Sequence, residues 1–167
     1  MPKYSIGLTS IKLGNIAGDG GMGTSLTALG NTVADTATLA TEEGQTAEFK
    51  IEEQDDPVYT VQSEKGKTTL TWSCYDVDAD ILQAYFGGTV AAGPPKVWSA
   101  PDSVPIIEKS IEIVPKNGGK IEIVRAQIIA KLNWALNKQR LAQIDFVATV
   151  LAPTKAATAP MKITNPV

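Results

Sequence analysis

The sequence predicts a mainly β protein: a sandwich or barrel of two packed sheets with one flanking α-helix at about residues 78–86. Three observations carry this reading. Short alternating segments rich in β-branched and aromatic residues recur along the chain. Turn-forming clusters such as Asn117-Gly118-Gly119 separate them. Apolar residues take a clear helical spacing in one place, at Ile81, Leu82, Tyr85 and Phe86.

Residues 1–33 read as a glycine-rich N-terminal arm or long loop with at most short strands, because half of the 14 glycines fall between Gly7 and Gly30. Residues 34–152 read as the β domain. A weak strand runs from Asp35 to Glu42, and Ala47, Phe49 and Ile51 alternate with Glu48, Lys50 and Glu52. Asp55-Asp56-Pro57 is expected to break the chain before a strand at Val58–Val61. In the next strand Leu70, Trp72 and Cys74 share one face and Thr69, Thr71, Ser73 and Tyr75 the other. Asp78 is a suitable N-cap for the helix, and Gly87 a suitable terminator.

Beyond the helix, Ile107, Ile111 and Ile113 oppose Glu108, Ser110 and Glu112, and Ile121 and Ile123 continue the hairpin on either side of Glu122. The alternation then changes phase, with Ile128, Ala130, Leu132, Trp134 and Leu136 on one face. Such a slip predicts a bulge near Arg125 to Ile129, or a strand passing between sheets. Asn137–Arg140 is a polar turn, and Ile144, Phe146, Ala148 and Val150 form the closing strand. Residues 153–167, with Pro153, Pro160 and Pro166, read as an extended C-terminal tail.

Composition narrows the chemistry. A chain of 167 residues suits one domain, and 43% apolar content excludes a disordered one. No apolar run approaches the roughly 18 residues needed to span a membrane. No signal-peptide core follows Met1-Pro2-Lys3-Tyr4-Ser5, so cytosolic synthesis is expected. Cys74 is the one cysteine and, on an apolar strand face, reads as a buried structural thiol. The chain has no histidine, which removes Ser–His–Asp and Cys–His sites. A formal charge of −3 argues against tight phosphate binding.

Two motifs fail on context. Gly18-x-Gly20-x-x-Gly23 matches a dinucleotide fingerprint, but no long helix follows it. Asp76-x-Asp78-x-Asp80 begins like a calcium loop, but Ile81 and Gly87 stand where glycine and glutamate are required. No catalytic, cofactor or metal site is therefore expected. The acidic strand faces are more suggestive. Glu48, Lys50, Glu52, Glu108, Glu112 and Glu122 are candidates for a wall facing a channel.

The order of these elements resembles the major tail or tail-tube proteins of long-tailed bacteriophages, within the Hcp-like tail-tube superfamily. The likeness is carried by the arm Leu13-Gly14-Asn15-Ile16-Ala17-Gly18-Asp19-Gly20-Gly21-Met22-Gly23 and by Ser63-Glu64-Lys65-Gly66-Lys67 leading into Leu70-Thr71-Trp72. The strand-to-helix unit ending in Phe86-Gly87-Gly88 and the closing strand Gln143–Leu151 with Pro153-Thr154 complete it. The resemblance implies a structural, non-enzymatic subunit of a phage or prophage tail. It implies hexameric rings of this chain stacked into a tube, other tail proteins as partners, and DNA passing through without sequence-specific binding or membrane contact. It places the protein in the virion tail after assembly in the bacterial cytoplasm. The competing expectation is a carbohydrate-binding or adhesive β-sandwich module, which would display aromatics such as Trp98 and Trp134 along a groove.

Overall fold

The computed structural model describes residues 4–165. The first strand, β1 (Ile6–Gly14), lies within the stretch that reads as an arm, and β2 (Leu26–Leu29) pairs with it. β3 (Thr38–Thr41) follows, then a hairpin of β4 (Gln45–Ile51) and β5 (Gln54–Glu64), then β6 (Thr68–Cys74). The helix α1 (Ala79–Phe86) leads to the short pair β7 (Thr89–Ala91) and β8 (Val97–Ser99). β9 (Ile107–Asn117), β10 (Lys120–Asn133), β11 (Gln143–Val150) and β12 (Met161–Thr164) complete the chain. The protein is mainly β, with several sheets and, among the described residues, a single short helix.

Eight strands form one sheet in the order β2-β1-β9-β10-β11-β6-β3, with β12 beside the first part of β10. All the ladders of this sheet are antiparallel. Where two packed sheets are expected, the core strands form this one continuous sheet, and its buried residues make up one hydrophobic cluster. Residues 30–37 join its edges and bond to the end of β6, where the Val33 N–H donates to the Ser73 carbonyl and the Tyr75 N–H to the Asn31 carbonyl.

Register explains the core. Leu13 faces Ile111 and Ile111 faces Ile123, while Ala130 faces Phe146 and Phe146 faces Trp72. Side chains opposite one another on neighbouring strands form apolar rows, and these rows belong to one buried cluster. Ile11, Cys74, Ile123 and Ile144 are fully buried. Burial pushes the Cys74 thiol up to about 11, as suits an unreactive core thiol.

The helix forms as its sequence requires. The Asp78 carboxylate accepts from the Ala79 N–H at 2.8 Å, and Gly87, at φ 78°, ends the helix with its N–H on the Gln83 carbonyl. Leu82 is buried, and Tyr85 meets Phe146 edge-on at 5.2 Å. The phase slip in β10 is a bulge between Ile123 and Ala126. It buries Val124 on the opposite face, where the Val124 N–H donates to the Pro160 carbonyl.

The glycine-rich loop between β1 and β2 is packed onto this outer face. Ser110, fully buried, accepts from the Gly23 N–H at 2.9 Å and donates to the Val124 carbonyl at 2.6 Å. A Cβ at Gly23 would collide with the Asn15 carbonyl oxygen, so glycine is required there. Lys155 pairs with Asp19 at 2.6 Å, tying the C-terminal segment to the same loop. That segment, expected as an extended tail, ends in β12 against β10.

Two boundaries differ from the sequence reading. β5 runs through Asp55-Asp56-Pro57, and the turn lies at Glu52-Glu53 instead. The register shifts between Phe49 and Ile51 opposite this segment. An interrupted ladder tolerates a proline, which has no N–H to donate. β10 ends at Asn133, so Trp134 and Leu136 leave the strand for an exposed loop.

Candidate interaction surfaces

The six expected wall residues fall into two separate groups. Glu48 and Lys50 lie on the β4–β5 hairpin and Glu52 in its turn, all exposed. Glu108, Glu112 and Glu122 lie on the outer face of β9 and β10 in the main sheet.

The β9–β10 group is not a bare acidic wall. Lys12 faces Glu112, Glu112 faces Glu122, and Glu122 faces Lys162, forming one row across four strands. Two glutamates directly opposite would repel. Lys120 relieves this by reaching Glu112 at 3.1 Å and Glu122 at 2.9 Å, while Lys12 holds Glu112 at 2.8 Å from the other side. Arg125 grips Glu108 with two parallel hydrogen bonds of 2.8 Å. The face therefore carries both signs, paired. These cations come from β1, from the start of β10 and from the bulge itself, so the sequence pattern of one strand does not reveal them.

These pairs set an acid sensitivity. The hydrogen bond from Lys12 holds Glu112 below the usual carboxylate range despite burial, with Lys120 assisting, and the Arg125 guanidinium does the same for Glu108. A carboxylate whose folded-state pKa is depressed stabilises the fold above its unfolded pKa, and that contribution is lost as pH falls through the folded value. Melting temperature is therefore expected to fall between about pH 5 and pH 3. Glu112→Gln should flatten this fall in circular-dichroism melts. An identical profile in the variant would contradict the assignment.

The hairpin has a different character. Every residue of β4 and β5 except Ala47 is exposed, and none joins the hydrophobic core. Its two faces differ. Ala47 opposes Val61 and Phe49 opposes Tyr59, with ring centroids 6.1 Å apart, and Ile51 lies on the same side by alternation. Thr46, Glu48 and Lys50 occupy the other side. A lone two-stranded hairpin is marginally stable in water, and an apolar face on it calls for a cover.

The loop between β10 and β11 is a second exposed apolar feature. Trp134, Leu136 and Leu141 are 56%, 90% and 67% exposed. Beside them Tyr75, Asn133, Arg140 and Leu141 help line a cleft of about 380 Å³. A larger cleft of about 670 Å³ lies between the sheet edges and is lined by Leu8, Leu29, Leu39 and Ile121 among others. Among the described residues Asp35 is the one ionisable residue in its lining, and these residues offer no acid–base pair. Among the described residues no cluster of metal-ligating side chains occurs.

A β-rich body with an uncovered two-faced hairpin is the form of a subunit that completes itself in an assembly. Residues 17–163 match the family model described as phage tail tube protein. The chain belongs to the phage tail tube protein family. No curated protein matches it. Membership makes this tail tube protein a structural component of the virion tail that assembles with itself and with other tail proteins. Among the described residues no helix is long and apolar enough to cross a membrane.

Proposed function

We propose that this tail tube protein forms hexameric rings that stack into a hollow tube for DNA passage, and that it acts structurally and not as an enzyme. The uncovered apolar face of the β4–β5 hairpin carries the reading. Contacts between chains give such a face its cover, and contacts that repeat head to tail generate rings and stacks. In this proposal Glu108, Glu112 and Glu122 line the channel, and the hairpin trio of Glu48, Lys50 and Glu52 belongs to contacts between subunits. A wall whose cations are paired to glutamates gives phosphates no broad basic surface to grip, so DNA slides without being held. Such assembly belongs to a phage or prophage tail, built in the bacterial cytoplasm.

The carbohydrate-binding alternative has little support. Trp72 is buried in the core, and Trp98 packs edge-on against Phe86 with its indole N–H on the Gly87 carbonyl at 2.8 Å. Trp134 is left as the exposed tryptophan, and among the described residues no stacked or edge-on ring pair includes it.

The test is negative-stain microscopy of the purified full chain over a concentration series. Rings and tubes with a central channel are expected. Monodisperse single subunits at every concentration would count against the proposal.

A further inference from the structure

The chain divides its charge unevenly. Residues 42–67, the hairpin and its connections, hold eight carboxylates against three lysines, a formal −5 in a chain whose total is −3, so the remainder carries +2. Five of these carboxylates, Glu48, Glu52, Glu53, Asp55 and Asp56, surround the hairpin turn. None has an ion-pair partner among the described residues.

The β10–β11 loop has the complementary character. Residues 134–142 contain Lys138 and Arg140 and no acid, interleaved with exposed Trp134, Leu136 and Leu141. Neither cation has an ion-pair partner among the described residues. The nearest carboxylate in the adjoining ladder, Asp145, is occupied by hydrogen bonds from Ser73 at 2.6 Å, Gln143 at 2.7 Å and Asn133 at 3.2 Å.

Topology puts the two features at opposite ends of the molecule. The hairpin continues from the Thr41–Thr68 end of the β3–β6 pair. The loop sits at the other end of β6, where Cys74 faces Ile144 and Asn133 faces Gln143. Seven residues of β6 lie between them, about 20 Å of strand. A chain therefore cannot easily satisfy its hairpin with its own loop, whereas a second copy displaced along the strand direction can.

We propose that the acidic, apolar hairpin of one copy docks on the basic, apolar β10–β11 loop of the next. This rests on the reading that the chain assembles with itself, and it names the two surfaces that meet. Phe49 and Tyr59 cover Trp134 and Leu136, and the carboxylates at the turn meet Lys138 and Arg140. The contact is heterologous, since two different patches are joined, and repetition along β6 gives an open stack in place of a closed dimer. Charge complementarity fixes the polarity of the stack, because hairpin against hairpin sets like charges together.

Cysteine pairing in the full chain tests this. Chains carrying Tyr59→Cys and chains carrying Leu136→Cys are mixed under mild oxidation, with the native Cys74 buried and unable to compete. Cross-linked dimers are expected in the mixture and not in either variant alone. Dimers of Tyr59→Cys alone would mean hairpin against hairpin, dimers of Leu136→Cys alone would mean loop against loop, and either result overturns the proposal. Charge exchange gives an independent readout. Lys138→Glu with Arg140→Glu should raise the concentration needed for assembly by at least about tenfold, and adding Glu52→Lys with Asp55→Lys to the same chain should restore it. Wild-type assembly that ignores the first pair overturns the docking alone. A wild-type chain that never assembles removes the self-assembly reading itself and this docking with it.

Discussion

Replacing residues 46–63 by a two-residue Asn-Gly turn is expected to abolish assembly and leave the subunit folded. The hairpin adds no side chain to the core, so the deletion leaves the cluster of Leu70, Trp72, Ile111, Ile123 and Phe146 intact. The strands it joins stay together through the Thr38–Thr71 to Thr41–Thr68 ladder and the Glu42 N–H to Lys67 carbonyl bond. Removing exposed apolar side chains also costs the monomer nothing in burial. Sedimentation velocity should show a single monomeric species, and thermal melting should differ little from wild type. A truncated chain that still forms rings and tubes would mean that the apolar face is not an assembly contact.

Phe146→Ala has the opposite signature. Phe146 is 1% exposed, stacks on Trp72 at 5.0 Å and receives Tyr85 edge-on, so it joins the sheet to the helix. Losing such a ring costs about 3–5 kcal/mol, a large share of the roughly 5–15 kcal/mol that holds a domain together. A fall of this size in unfolding free energy is expected from denaturant titration. Phe49→Ala, at a residue 54% exposed on the hairpin, should change monomer stability by less than about 0.5 kcal/mol. Equal losses at both positions would show that the core and the hairpin have been wrongly distinguished.

The contrast between these two phenylalanines marks what a sequence can reveal. Phe146 lies in an unbroken alternation with Ile144 and Ala148, and the period alone assigns it to the interior. Phe49 alternates equally cleanly with Glu48 and Lys50, yet its strand has no body beneath it. Periodicity reports that a face is apolar and not what covers it. The helix was legible because its cap and terminator, Asp78 and Gly87, act locally.

β1 was hidden for a physical reason. Its inward residues are Leu8, then Ile11 and Leu13, and a register shift between Leu8 and Ser10 reverses the alternation among the glycines. At Trp134 the opposite happened. The alternation of β10 continues past Asn133, but β11 begins at Gln143 and no partner strand extends beyond that pair. A strand ends where its hydrogen bonds end, and the sequence of one strand does not state the length of its neighbour. The salt-bridged face of β9 and β10 was half legible: the glutamates were visible, but Lys12 lies 100 residues from Glu112.

A reconstruction of the assembled full chain by electron cryo-microscopy tests the central claim most directly. The account predicts hexameric rings stacked around an open channel, with each β4–β5 hairpin buried against a neighbouring copy. A filament without an axial channel, or a tube whose hairpins stand free in solvent, would contradict it.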